Sequence, residues 1–361
     1  MTGAKVFRHL ASLIQSGRVD SRKDGRWVHY RLQKKKSDPA FPLQYNHRPI
    51  TLLIAFWMLV SFTACSRDAD YKQVDFTQKS DVLRPKNSDS DRKTLRIAVA
   101  AMISPKETFI YYRELIDYIG AKLDHDVVLI QRKTYGEVND LFSREHIDLA
   151  FICSGPFVSG SEKYGFEAIA TPIIRGKPFY HSYLIVHQES PFHALEDLKG
   201  HDFAFTDPES NTGALVPRYW LKQMNVKPET FFRTITYSYS HDNAIMAVAK
   251  KLVDGAAVDS HMWEYYQQNN AFYSGKTRVI KKSEPFGSPP LVVSNALDPK
   301  LKSALVHIVL TMHENSEGRR ILSGLMIDRF EAPRSEWYEP VKEMLDRLFQ
   351  DEATGDVHKK S

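Results

Sequence analysis

Ser210, Asn211, Thr212 and Gly213 stand where a short apolar run, Asp202 to Phe205, gives way to a helical pattern continuing through Tyr219, Trp220 and Leu221. A strand that turns into a helix start leaves several backbone N–H groups without intrahelical partners, and these groups favour an anion. The two hydroxyls and the amide add side-chain donors at the same spot, and Gly213 lets the backbone come close to a ligand. The stretch Thr206 to Pro217 therefore reads as an oxyanion cradle, one that lacks the Lys and the Gly spacing of a nucleotide P-loop. An ordinary capped helix uses the same residue types, so both readings stand at this point.

Other polar residues fall at the ends of predicted strands: Cys153 and Ser154, Ser240 and His241, and Asp259, with Tyr135 opening a predicted helix. His241 either lines a site or begins its helix, and Tyr135 either lines a site or packs in a core. A carboxylate such as Asp259 can face an anion only by accepting a proton from a protonated ligand oxygen or from His241. Cys153 is one of two cysteines in the chain; a lone cysteine at a strand end is either a small buried hydrophobe or a soft ligand. A hydrolytic reading would enlist Ser210, His241 and Asp259, but there is no Gly-x-Ser-x-Gly elbow and Ser210 lies in a capping turn, so the chain is not expected to be an enzyme. No catalytic residue, cofactor or metal is assigned.

These residues need elements to position them. Thr94 to Ala100 predicts a strand, Ser104-Pro105 a helix start, Val127 to Gln131 a strand, Tyr135 to Glu145 a helix and Ile147 to Cys153 a third strand. The alternation resumes with Tyr183 to Val186, Asp202 to Phe205, Thr234 to Tyr239, a helix over Asp242 to Leu252, Ala256 to Val258 and a returning strand at Leu291 to Ser294. Strands alternating with helices predict an α/β fold with mostly parallel sheets in two lobes, residues 94–180 with 280–350 and residues 181–279. The strand C-termini then face a cleft between the lobes.

With 361 residues the chain can hold two domains. Its net charge of +5 is concentrated in the first 36 residues, so it gives no reason to expect nucleic acid as a partner of the main body. Ile50 to Ala64 is a nearly unbroken apolar run, shorter than the roughly 20 residues of a membrane span and suited to the core of a secretory signal. Thr63-Ala64-Cys65 then resembles a bacterial lipobox, with Phe62 where that motif usually has Leu. Residues 43–65 are read as a signal peptide with Cys65 as the lipidated residue, and residues 66–93 as a polar tether. Leu43 is a candidate start, placing His47 and Arg48 before the apolar run. Residues 1–42 are read as an extension or a remnant: Arg18 to Arg22 and Arg26 to Leu32 predict a hairpin around Lys23-Asp24-Gly25. His9-Leu10, Ser16-Gly17 and Gly25-Arg-Trp-Val-His-Tyr-Arg-Leu32 resemble the last helix and wing of an arsenic-repressor-type winged-helix regulator. The rest of such a domain is missing, and an export signal would separate it from the main body.

Over residues 94 to 345 the chain resembles the phosphate/phosphite/phosphonate-binding proteins of ABC transporters, type 2 periplasmic binding proteins. The resemblance rests on Ser104-Pro105, Tyr135, Asp148-Leu-Ala-Phe151, Leu198-Lys-Gly200, Asp207-Pro208-x-Ser210-x-Thr212-Gly213, Ser240-His241, Val253-Asp-Gly-Ala-Ala-Val-Asp259 and Ser288-Pro289. It implies a bilobed fold in which Ser210, Asn211 and Thr212 grip a small oxyanion while Tyr135 and His241 line the cleft; Asn211 stands where the family commonly has Thr or Ser. Phe151-Ile-Cys153 resembles a branch of periplasmic arsenic-oxyanion sensors that signal to a membrane histidine kinase. The expectation is thus an exported, lipid-anchored periplasmic protein binding arsenite or arsenate, with Cys153 as an arsenic ligand. The alternative is the phosphonate, phosphite or phosphate-binding subunit of an ABC transporter, with the permease as its membrane partner.

Overall fold

The computed structural model describes residues 19–24, 27–32, 93–100, 102 and 104–355. The chain divides into two units, Met1–Lys86 and Asn87–Ser361. In the first, β1 (Val19–Asp24) pairs antiparallel with β2 (Trp27–Leu32), Asp24 opposite Trp27 and Val19 opposite Leu32. This is the hairpin expected around Gly25. Leu43, the apolar run Ile50 to Ala64, Cys65 and the tether up to residue 92 lie outside the described residues.

The second unit contains two sheets. The first uses β3 (Thr94–Val99), β4 (Asp126–Gln131), β5 (Leu149–Phe151) and β6 (Phe166–Ile173). After a short β7 (Phe179–Tyr180) the chain builds the second sheet from β8 (Ser182–His187), β9 (Asp202–Phe205), β10 (Thr234–Tyr237), β11 (Gly255–Asp259) and β12 (Thr277–Lys282). It returns through β13 (Phe286–Gly287) to β14 (Leu291–Ser294) and β15 (Arg329–Glu331). The six-stranded sheet has the order β15-β6-β14-β5-β3-β4 and the five-stranded sheet β10-β9-β11-β8-β12. Between them, β7 and β13 pair as a two-stranded ribbon, Tyr180 opposite Phe286. That ribbon holds the two crossings together.

The α/β, two-lobed architecture agrees with the expectation, but the sheets are mixed rather than mostly parallel. Only β3 with β4 and β5, and β9 with β10 and β11, run parallel. Each strand that has just crossed between lobes enters its new sheet from the opposite end, so β14 lies antiparallel to β5 and β8 antiparallel to β11. β12 continues the second sheet to Lys282, beyond residue 279, because it pairs along β8 on the outer edge.

Helices cover both sheets: α1 (Pro105–Leu123), α2 (Tyr135–Ser143), α3 (Ser154–Tyr164), α4 (Val216–Gln223), α5 (His241–Ala249), α6 (Ser260–Asn269), α7 (Pro299–Thr311), α8 (Ser316–Gly324) and α9 (Glu339–Gly355). Their starts follow local chemistry. Pro105 supplies the first residue of α1, where its missing N–H costs nothing. Thr134 and Glu137 form a reciprocal capping box on α2. One core gathers Ile97, Leu115, Ile119, Phe142 and Leu149, the other Leu184, Phe203, Phe205 and Leu221. The sequence reading placed everything to residue 350 with the first lobe. Instead, Val341 and Met344 of α9 are buried in the core of the second.

That docking gives a direct check. Met344→Ala removes a buried side chain from the second core and should cost about 2–5 kcal/mol, read from the shift in a denaturant midpoint. A loss under about 1 kcal/mol would mean that α9 is not packed there.

Candidate oxyanion site

Two helix N-termini meet in the buried space between the lobes. Ser210 caps the first: its hydroxyl accepts from Gly213 N–H at 3.1 Å. The turn that follows, Asn211–Leu215, is π-helical, with Leu215 N–H reaching five residues back to the Ser210 carbonyl at 2.9 Å. Such a wide turn is a frequent mark of a functional site. Cys153 precedes the second N-terminus, that of α3. Two glycines permit the approach. A Cβ on Gly213 would lie 1.8 Å from Thr206 Oγ1, and one on Gly155 would lie 2.5 Å from the Glu209 carbonyl of the other lobe.

Cys153 Sγ sits between these ends, facing the backbone N–H groups of Gly155 and Asn211. Burial pushes its thiol up, outweighing those N–H groups and the Tyr180 hydroxyl 3.7 Å away, so it is held as a neutral thiol at neutral pH. The Tyr180 hydroxyl also lies 2.5 Å from Ser154 Oγ and accepts from Asn211 Nδ2 at 3.1 Å. Around this knot three polar atoms are buried without a well-formed hydrogen bond: Asn211 Oδ1, Thr212 Oγ1 and the Tyr135 hydroxyl, which has the Ser210 side chain beside it. Buried polar groups are rarely left so, and three in one place mark a space shaped for a polar ligand.

Across this space, Asp259 and His241 are linked, though not as expected. The backbone N–H of Asp259 donates to His241 Nδ1 at 3.0 Å, so the ring proton resides on Nε2. Burial pushes His241 down to about 3, leaving a neutral imidazole. The Asp259 carboxylate does not accept from His241; its Oδ1 caps α6, accepting from His261 N–H at 2.7 Å and Met262 N–H at 3.2 Å. Desolvation nevertheless pushes Asp259 up to about 7. A Ser-His-Asp relay is absent here, because Ser210 Oγ is committed to Gly213 and the imidazole faces a backbone amide.

The structure thus gathers Tyr135, Cys153, Ser154, Asn211 and Thr212 with Ser210 as their cap, and sets Asp259 close enough to raise the pKa of Tyr135, Cys153 and Tyr180. His241 stands behind Asp259. Sequence reasoning missed Tyr180, whose crossing-ribbon position has no periodicity to reveal it, and His261, whose ring stacks on Tyr180 at 5.8 Å. It also missed Asp207, which accepts from Tyr135 N–H at 3.1 Å and so caps a helix of the first lobe from the second. Its place in the motif Asp207-Pro208 was the available signal.

Among the described residues, no lysine or arginine is hydrogen-bonded to these groups, nor do three metal-binding side chains converge on one point. Donors to an anion are hydroxyls, amides and helix N-termini. A model of the family described as "ABC transporter, phosphonate, periplasmic substrate-binding protein" matches residues 97–338. The chain belongs to that family. It is a periplasmic substrate-binding protein, and its homologues are not enzymes.

The phosphonates-binding periplasmic protein of Escherichia coli is 23% identical over 271 residues, spanning 73% of this chain and 80% of that protein. A crystal structure of a binding protein component of an ABC phosphonate transporter from Pseudomonas aeruginosa superposes with a TM-score of 0.68 at 23% identity, over 72% of this chain and 87% of that one. PhnD1 of Prochlorococcus marinus, solved in complex with methylphosphonate, gives 0.65 at 19% identity, over 71% and 98%. These likenesses agree with the two-lobed fold. None carries the arsenic-sensing branch or the repressor-like segment, and the phosphonate alternative fits the family better.

The raised pKa of Asp259 makes a pH prediction. Its protonated form is the one the fold favours, so the stability tied to that proton is complete below about 3.8 and lost as pH rises through about 7. Asp259→Asn keeps a cap acceptor without the charge. The variant should be more stable than wild type at pH 8 by about 2–4 kcal/mol, with the gap closing by pH 4, in denaturant titrations at both pH values. An equal gap at both would show that the carboxyl titrates normally.

Proposed function

We propose that the protein captures a tetrahedral phosphorus oxyanion, a phosphonate or phosphite in its singly protonated form, and delivers it to the permease of an ABC transporter. The observation that carries this reading is the set of three buried polar atoms without well-formed hydrogen bonds, on Tyr135, Asn211 and Thr212, beside two helix N-termini. Hydroxyls and backbone N–H groups stabilise the anionic oxygens. Asn211 Oδ1 and the Asp259 carboxylate are acceptors that an unprotonated anion could not use, whereas a P–OH can donate to either. Family membership and the ligands named for its relatives point the same way. The apolar run ending in Cys65 supports a lipid anchor that would keep the protein beside its permease.

One observation favours a second ligand class. Cys153 is a free, buried thiol at the meeting point of the helix ends, where trivalent arsenic could bond to sulfur and a histidine kinase would read the result. The thiol is neutral there and flanked by donors suited to oxygen, so the phosphorus reading takes precedence over the arsenic one.

Both readings meet one experiment. Ser210 is a poor target because its hydroxyl holds the turn; Tyr135→Phe with Thr212→Val instead removes two hydroxyls that have no well-formed hydrogen bond in the protein. Calorimetric titration with methylphosphonate and phosphite should show a loss of about two orders of magnitude or more in affinity, at about 1.5–3 kcal/mol for each hydrogen bond to charge, with thermal stability unchanged. Unchanged affinity would place the anion elsewhere. In the same assay Cys153→Ser should keep phosphonate binding within a few-fold of wild type. Arsenite binding by wild type that vanishes in Cys153→Ser, without phosphonate binding, would establish the arsenic reading instead.

A further inference from the structure

A cavity of about 70 Å³ shares Asp259 with the surroundings of the anion cluster. Asp259 and His261 line it, and these residues also border the polar knot through the Tyr180–His261 stack and the electrostatic reach of Asp259. Beyond them its walls change character. Tyr112, Phe151, Ile174 and Ile327 contribute from the first lobe, and Met262 and Tyr265 from α6 of the second. Tyr112 and Phe151 pack ring to ring at 5.0 Å.

The walls are largely apolar and aromatic; the ionisable exceptions are His261, held neutral by burial, and the two carboxylates Asp259 and Glu264. Glu264 is already engaged, by Arg175 and by the Tyr183 hydroxyl at 2.6 Å. Asp259 spends one oxygen on the α6 cap. The cavity therefore presents no free pair of charges to hold an ammonium group, and aromatic faces to hold carbon.

Resting on the phosphorus-oxyanion reading, we infer that this cavity receives the carbon substituent of the bound ligand, making the preferred substrate an organophosphonate with an uncharged alkyl or aryl group. The size follows from the volume: at about 10–15 Å³ per water-sized occupant, the space holds about five to seven non-hydrogen atoms, enough for a phenyl group and more than a butyl chain needs. A phosphorus head between the helix ends and a carbon tail against Tyr112 and Phe151 would close both lobes on one molecule.

The test titrates the full chain with phosphite, methylphosphonate, butylphosphonate, phenylphosphonate and 4-aminobutylphosphonate. Butyl- or phenylphosphonate should bind at least about tenfold more tightly than methylphosphonate, since burying two or more methylenes supplies that difference. Ile174→Trp, which fills the cavity from a wall outside the anion cluster, should erase the advantage while leaving methylphosphonate within about twofold, and Ile327→Phe provides a second filling variant should the first fold poorly. Larger substituents that bind no better than methyl, or filling variants that weaken all ligands alike, would overturn the assignment of the cavity while the anion site stands. A preference for the aminobutyl compound would overturn its apolar character. Failure of every phosphorus compound, methylphosphonate and phosphite included, would overturn the anion reading and this inference with it.

Discussion

Everything at the centre of this protein depends on two helix N-termini being pressed together in a place without a countercharge. Each end carries partial positive charge on its unpaired N–H groups, and two such ends facing one another repel. The repulsion is relieved only by something electron-rich between them. Cys153 Sγ does so weakly; a bound anion does so strongly. Among the contacts between the lobes are single hydrogen bonds, Tyr135 N–H to Asp207, Ser104 N–H to Asp242 and His241 N–H to the Met102 carbonyl, beside the Arg175–Glu264 ion pair and the burial of α9 in the second core. Single hydrogen bonds of that kind are worth only about 1 kcal/mol each net, so an oxyanion engaging both helix ends outweighs any one of them.

How far this arrangement is legible in the sequence depends on the range of the interactions that create it. Asp202–Phe205 and Leu291–Ser294 coincide with their predicted strands because both are short apolar runs bounded by turn residues. Ser104-Pro105 and the cradle from Ser210 were readable for the same reason: capping is decided within three or four residues. β12 was not, since Thr277–Lys282 sets only the pair Val279-Ile280 between charged residues, with no period-2 pattern, and carries an irregularity between Val279 and Lys281 as it follows an outer edge. β15, only three residues long, has no pattern to detect. Tyr180 and His261 enter the site through a two-residue ribbon and a ring stack, and both are products of tertiary closure.

The buried ionisable groups support the proposal of a protonated ligand. His241 and His261 are both pushed down to about 3 by burial, so the stability tied to their neutral rings is present above about 6.5 and lost as pH falls toward 3. Asp259 runs the other way, favouring its proton up to about 7. Near neutral pH the site is therefore lined by neutral imidazoles and a carboxyl close to its midpoint. A dianion would meet that carboxyl with no cation to intervene, whereas a monoanion carrying one P–OH supplies the proton that Asp259 or Asn211 can accept.

On the proposed function, a buried thiol is compatible with a phosphorus oxyanion. A serine at residue 153 would offer the N–H groups of Gly155 and Asn211 a neutral oxygen acceptor, one that an anionic oxygen still outcompetes. Sulfur is a weak acceptor, and burial keeps this one in its neutral form. Cys153 lies beside the helix ends and gives those two donors only a weak acceptor. On the proposed reading, an oxyanion would form charge-assisted bonds with these donors, stronger than their contacts with a neutral thiol or hydroxyl. The apolar sulfur thus keeps the helix ends poised for an oxygen ligand.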